Sequence, residues 1–122
     1  MKDQLDILLV DDNIKEQNSF SLALNELHIN YICRFAKDYA VACELVKTLL
    51  PDYIFVYMPD KNETDCFEKI KIMINTTNST VIMFASKLDG SLNKQATQCG
   101  VKECLKKTSK VSELIPILKR IL

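Results

Sequence analysis

The stretch ILLVDDN, residues 7–13, constrains the fold most, because four apolar residues are followed at once by two carboxylates. Ile7–Val10 contains no polar residue, which is typical of a strand whose two faces are both covered by helices. Asp11 and Asp12 then lie at the carboxyl end of that strand, where open α/β sheets bind their ligands. Two adjacent carboxylates repel each other, and a divalent cation such as Mg²⁺ would offset that repulsion. The other interpretation is a solvated acidic turn, with Asp12 or Asn13 capping the next helix.

The rest of the chain alternates short apolar runs with amphipathic stretches. The further runs that are typical of strands are Tyr31–Phe35, Tyr53–Tyr57, Thr80–Phe84 and Val101–Leu105. After each run, apolar residues recur at helical spacing. Five strand–helix units in this order predict an α/β fold, with a doubly wound five-stranded parallel sheet in three layers. We expect two helices on one face of the sheet, three on the other, and a single domain over residues 1–122.

Four residues are expected to mark the boundaries of helices. Asp38 is the predicted N-cap of the second helix, and Pro51 should end it. Gly100 is the predicted C-cap of the fourth helix. Pro116 is expected near the first turn of the fifth helix, where a missing N–H group costs little.

Composition narrows the classes of function. Lys+Arg and Asp+Glu both number 16, and this balance indicates neither a nucleic-acid nor a membrane partner. No apolar run is long enough to cross a bilayer, and the N-terminus lacks the apolar core of a signal peptide. The five cysteines form no C-x-x-C pair, so we interpret them as small apolar residues of a cytoplasmic protein.

Four segments resemble the receiver domain of bacterial two-component response regulators in their order and spacing. They are ILLVDDN (7–13), PDYIFVY (51–57), VIMFAS (81–86) and GVKECLKKT (100–108). The resemblance covers nearly the whole chain and implies a flavodoxin-like fold of the receiver type. It also implies an acidic, Mg²⁺-dependent site at the carboxyl edge of the sheet. There the family accepts a phosphoryl group from a histidine kinase on one of its own aspartates.

Three positions that carry this chemistry in the family are changed here. Tyr57 falls at the position of the phospho-accepting aspartate, and a tyrosine is a neutral phenol rather than a carboxylate nucleophile. Ala85 replaces the family's Ser or Thr. Ser86 follows one residue later, where strict alternation along a strand would turn it to the opposite side. Cys104 falls at the position of the switch aromatic residue. The loss of all three together is what a pseudo-receiver would show.

The other positions of the family pattern are retained. Asp11 and Asp12 match the acidic pair, and Lys107 matches the essential lysine. We therefore expect either no cofactor or a weak, vestigial Mg²⁺ site at Asp11 and Asp12. The alternative is a working receiver that accepts the phosphoryl group with Mg²⁺ on a loop carboxylate such as Asp60, with Asp65 also in reach.

These observations predict a stand-alone signalling module that takes part in a phosphorelay. We expect that this module is not an enzyme and that it acts by protein–protein contacts. By resemblance, its contact surface is the fourth helix, fifth strand and fifth helix, including parts of Leu88–Cys99 and Lys102–Lys110. The expected partner is a histidine kinase or a downstream signalling protein, and a homodimer is a further alternative. A flavodoxin-like domain that binds a phosphorylated cofactor is disfavoured, because Asp11 and Asp12 would repel its phosphate.

Overall fold

The computed structural model describes residues 3–58 and 65–122. The strands are β1 (Leu5–Val10), β2 (Tyr31–Ala36), β3 (Tyr53–Met58), β4 (Thr80–Ala85) and β5 (Glu103–Lys106). The helices are α1 (Ile14–Asn25), α2 (Tyr39–Leu49), α3 (Asp65–Thr77), α4 (Gly90–Cys99) and α5 (Val111–Ile121). All paired strands are parallel, in the order β2-β1-β3-β4-β5, which confirms the predicted doubly wound sheet. Over these residues, no helix is long and apolar enough to cross a membrane.

The sheet separates two apolar layers, as the uninterrupted apolar runs predict. Helices α1 and α5 cover one face, where Phe20 packs edge-on against Phe55 with ring centroids 5.0 Å apart. Helices α2, α3 and α4 cover the other face, with Val46, Ile70 and Ala96 among the buried residues of that layer. The expected division into two helices and three is therefore confirmed. Residues on successive positions of β1 are buried because each face of the strand has a helix layer against it.

Local capping explains where the helices begin and end. The Asp38 carboxylate accepts a hydrogen bond from the backbone N–H of Val41 at 2.8 Å, which confirms Asp38 as the N-cap of α2. Helix α2 ends before Pro51, through Leu50 in the left-handed conformation. Gly100 is the C-cap of α4, as predicted, with a φ of 102° that favours glycine.

Two positions differ from the sequence-based expectation. Strand β5 begins at Glu103 rather than Val101, because the Val101 N–H group is used in the α4 cap, where it donates to the Ala96 carbonyl. Pro116 is inside α5 rather than near its first turn. The helix continues through it because Leu114 and Leu118, on either side, are buried against the sheet.

The cysteines are free thiols and act as apolar residues. Cys66 is fully buried, and burial raises the pKa of Cys33 to about 12. Burial also raises the pKa of Cys43 and Cys99 above the ordinary value for a thiol. These thiols therefore stay protonated and poorly nucleophilic at neutral pH.

The contribution of Gly100, the C-cap of α4, to stability can be tested by adding a single methyl group at that position. Gly100→Ala should lower the free energy of unfolding by about 1–3 kcal/mol, because alanine is strained in the left-handed region. In addition, the new Cβ would stand 3.0 Å from Cδ1 of Ile74. The measurement is urea denaturation followed by circular dichroism. Gly90→Ala is the matched control, because nothing lies within 4 Å of its added Cβ. Equal effects of the two substitutions would contradict this account.

Candidate functional site

The carboxyl ends of the parallel strands bring four polar side chains to one edge of the sheet. Asp11 directly follows β1, Tyr57 lies near the end of β3, Ser86 follows β4, and Lys107 follows β5. The backbone ladder extends one step past the strands, since the Lys107 N–H group donates to the Ala85 carbonyl at 2.8 Å. Lys107 is therefore held on backbone that continues the sheet beyond β5.

The two adjacent carboxylates differ in their exposure to solvent. Asp11 is only 7% exposed, whereas Asp12 is exposed to solvent. The Oδ1 atom of Asp11 accepts a hydrogen bond from the N–H group of Asn13 at 3.0 Å. Asn13 in turn caps α1 by accepting from the N–H groups of Lys15 and Glu16 at 2.9 and 3.2 Å. Of the two predicted caps, the structure selects Asn13, and of the acidic pair it is Asp11 that lines the cavity and contacts Lys107.

The ammonium group of Lys107 lies between two carboxylates and an aromatic ring. Its Nζ is 3.4 Å from Oδ2 of Asp11 and 4.0 Å from Oε1 of Glu16. The same Nζ stands 3.1 Å from the centre of the Tyr57 ring, which is a cation–π contact. The side chains of Lys107, Glu16 and Asp11 are 18%, 18% and 6% exposed, so these contacts are poorly screened by water.

Tyr57 is held at its hydroxyl and at its backbone. Its hydroxyl is 2.8 Å from Oγ of Ser86. Its carbonyl accepts a hydrogen bond from the Tyr39 hydroxyl at 2.7 Å. The contact with Ser86 differs from the expectation that Ser86 turns away. Strict alternation does not apply there, because β4 ends at Ala85 and Ser86 lies in the bend that follows.

The other two changed positions take no part in this cluster. Ala85 is 2% exposed and offers no hydroxyl group. Cys104 packs against the apolar layer under α2, α3 and α4, and burial raises the pKa of its thiol. Of Ala85, Ser86 and Cys104, it is Ser86 whose side chain is hydrogen-bonded to Tyr57.

The side chains described here do not form a ready site for a divalent cation. Among the described residues, no three His, Cys, Asp or Glu side chains come together to hold a metal ion. Both oxygens of Asp11 already have partners, in Asn13 and Lys107. The space beside Lys107, Tyr57 and Glu16 is a cavity of about 20 Å³, enough for a water molecule. Asp60 and the side chain of Asp65 lie outside the described residues.

Comparison with known families identifies the family to which this fold belongs. A family model of the response regulator receiver domain matches residues 7–119. The chain belongs to this receiver-domain family. Among curated protein sequences, no significant match was found.

Solved structures that resemble this receiver domain share its fold at low sequence identity. A response regulator from Thermotoga maritima is 16% identical, with a TM-score of 0.82 and 97% of each chain covered. The chemotaxis protein CheY4 of Vibrio cholerae is 20% identical, with a TM-score of 0.79 over 98% of this chain and 99% of that one. A response regulator from Burkholderia pseudomallei, solved with a phosphorylated aspartic acid, a calcium ion and citrate, is 18% identical. Its TM-score is 0.75, over 91% of this chain and 64% of that one.

One member of the cluster, Glu16, was not singled out from the sequence. It lies in the first turn of α1, where an acidic residue is common because it complements the helix dipole. Its proximity to Lys107 depends on how α1 packs beside the end of β5, and no local pattern encodes that. The sequence did single out Asp11, Tyr57, Ser86 and Lys107, and the structure brings these four together.

The pair formed by Lys107 and Asp11 should show measurable coupling. We expect Lys107→Gln to lower the free energy of unfolding by roughly 1–3 kcal/mol, because it leaves the buried Asp11 carboxylate without its cation. A double-mutant cycle with Asp11→Asn should give a coupling energy of about 1–2 kcal/mol, measured by urea denaturation. The control is the Glu44–Lys47 pair, whose side chains are 74% and 58% exposed. Its cycle should give less than about 0.5 kcal/mol. Equal coupling in the two cycles would contradict this account of the site.

Proposed function

We propose that this receiver domain is a pseudo-receiver that signals by protein–protein contacts and does not accept a phosphoryl group at the usual strand end. The observation that carries the proposal is Tyr57 at the acceptor position, with its ring against Lys107 and its hydroxyl bonded to Ser86. Phosphoryl transfer to a receiver needs a carboxylate nucleophile in line with the donor, and charge stabilisation around the transferred group. Here a phenol takes the nucleophile's place, so we propose that the chain accepts no phosphoryl group at this position.

The lysine that would stabilise the transferred group is already engaged. Lys107 contacts Asp11, Glu16 and the Tyr57 ring. Ala85 cannot donate a hydrogen bond to a phosphoryl oxygen. We therefore propose that the domain works without a cofactor, and that any Mg²⁺ at Asp11 and Asp12 binds too weakly to displace the ammonium group of Lys107. The relative from Burkholderia pseudomallei, with its phosphorylated aspartic acid and calcium ion, illustrates the state that this chain would not reach.

Receiver domains of response regulators act through protein partners in two-component signalling. We propose that this one uses the surface of α4, β5 and α5, through Leu88–Cys99 and Lys102–Lys110, to contact a histidine kinase or a downstream signalling protein. Between Lys87 and Lys110 there are six lysines (87, 94, 102, 106, 107 and 110) against two acidic residues, Asp89 and Glu103. Five of these lysines, all except Lys107, are exposed. An acidic partner surface would complement this charge, whereas a homodimer through the same face would bring like charges together.

Intact-mass analysis after incubation with acetyl phosphate and Mg²⁺ tests the proposal. We expect no mass gain on the wild-type protein, because the strand end carries no carboxylate nucleophile. An ordinary receiver domain treated in parallel shows that the reagent is active. A gain of one phosphoryl group that hydroxylamine removes and Asp60→Asn abolishes would overturn the proposal. It would establish instead the alternative of a working receiver that uses the loop carboxylate.

Restoring the carboxylate alone should not restore the chemistry. We expect Tyr57→Asp to be modified far less than the ordinary receiver domain, because position 85 still lacks a hydroxyl and Lys107 still pairs with Asp11. Tyr57→Asp combined with Ala85→Thr should be modified more than Tyr57→Asp. Tyr57→Phe is the control, since it keeps the ring and removes only the hydroxyl. Efficient modification of Tyr57→Asp by itself would show that the rest of the site is intact.

A further inference from the structure

We propose that the ammonium group of Lys107 is the permanent cation at the carboxyl edge of the sheet, beside the carboxylates of Asp11 and Glu16. There it fills the place that a divalent metal ion would otherwise take. This inference rests on the proposed function, because an edge that receives no phosphoryl group needs no exchangeable metal ion. It goes further because it assigns to Lys107 the role of holding the Asp11 and Glu16 carboxylates in place in the free protein. It also predicts a latent cation site, formed by Asp11 and Glu16, that appears when the ammonium is removed.

The contacts around Lys107 carry the argument. Two carboxylates that belong to different elements converge on one Nζ atom, Asp11 at the end of β1 and Glu16 in the first turn of α1. Both carboxylates are poorly solvated, with side chains 6% and 18% exposed. Such a pair needs a cation nearby, since each negative charge disfavours the other. Lys107 supplies that cation, and because its charge is part of the chain it cannot dissociate as a metal ion can.

The Tyr57 ring covers the side of the Lys107 ammonium group that the two carboxylates leave open. The Tyr57 ring stands 3.1 Å from Nζ and presents the negative face of its π-system to the ammonium group. A ring in this place supplies no oxygen ligand to a hard divalent cation. The hydrogen bond between the Tyr57 hydroxyl and Ser86 keeps the ring in position. The arrangement therefore fits an ammonium ion and does not fit Mg²⁺.

Titration of stability with MgCl₂ tests this inference, with NaCl at matched ionic strength as the reference. The urea midpoint of the wild-type protein should not respond to Mg²⁺ beyond the NaCl reference. Lys107→Met keeps the apolar stem and removes the charge, so its midpoint should be lower without Mg²⁺ and should rise as Mg²⁺ is added. The affinity for Mg²⁺ obtained from that rise should exceed that of the wild type by about tenfold or more, because a positive charge next to both carboxylates has been removed.

Three further variants separate this role from a general effect on the fold. Lys106→Met removes an exposed neighbouring lysine and should leave the midpoint insensitive to Mg²⁺, as in the wild type. Lys107→Arg keeps the positive charge and should also remain insensitive. Lys107→Met combined with Asp11→Asn should lose the response to Mg²⁺, because one ligand of the latent site is gone. A wild type that responds as strongly as Lys107→Met would overturn the inference, and so would a Lys107→Met variant that does not respond.

If Lys107→Met does not fold, the wild-type protein still decides the question. Mn²⁺ added at a concentration equal to that of the protein should leave the amide signals of residues 11–16 as sharp as those of α2. Selective broadening of the signals of residues 11–16 would show a metal ion at the place assigned to Lys107 and would overturn the inference. None of these measurements includes a phosphodonor, so their failure is distinct from a failure of the proposed function.

Discussion

A carboxylate that is buried at the end of a strand needs a positive charge or hydrogen-bond donors close by, because water no longer solvates it. In this receiver domain that carboxylate is Asp11, and its partners are the N–H group of Asn13 and the ammonium group of Lys107. Lys107 follows β5, whereas Asp11 follows β1, and β3 and β4 lie between these strands in the sheet. The ion pair therefore ties together the carboxyl ends of strands that are not neighbours. The position of Tyr57, between them on β3, brings its ring under the same ammonium group.

Most of the fold could be predicted because its signals are local. Uninterrupted apolar runs such as Ile7–Val10 indicate strands with two covered faces, and Asp38 and Gly100 mark helix ends by their own backbone chemistry. The errors occur where one local signal overrides another. Val101 belongs to an apolar run, but its N–H group completes the cap of the preceding helix. Pro116 suggests a helix start, yet the buried residues on either side of it carry the helix through.

The candidate site could be predicted only in part, because its geometry depends on tertiary packing. Asp11 was singled out by its place after a buried strand, and Tyr57, Ser86 and Lys107 by a resemblance. Neither their distances nor their partners follow from spacing. Ser86 illustrates the difficulty. Side chains alternate between the two faces only within a strand, and Ser86 lies just beyond the end of β4. Glu16 illustrates it again, because a first-turn glutamate is ordinary in any helix. Its closeness to Lys107 appears only when α1 and β5 are placed on the same sheet.

Strand β3 has a further consequence for the unfolded chain. Its sequence, YIFVYM, contains no charge and combines aromatic with β-branched residues, which is the composition of segments that stack into cross-β aggregates. In the native sheet both of its edges are covered, by β1 and β4. Both pairings are parallel and join residues far apart in sequence, so they form slowly during folding. Proline and acidic residues flank this segment in the sequence, Pro51 and Asp52 before it and Pro59 and Asp60 after it, and such residues limit stacking. Until its two pairings form, a newly made chain thus relies on these flanking residues to limit self-association of the segment that later occupies the centre of the sheet.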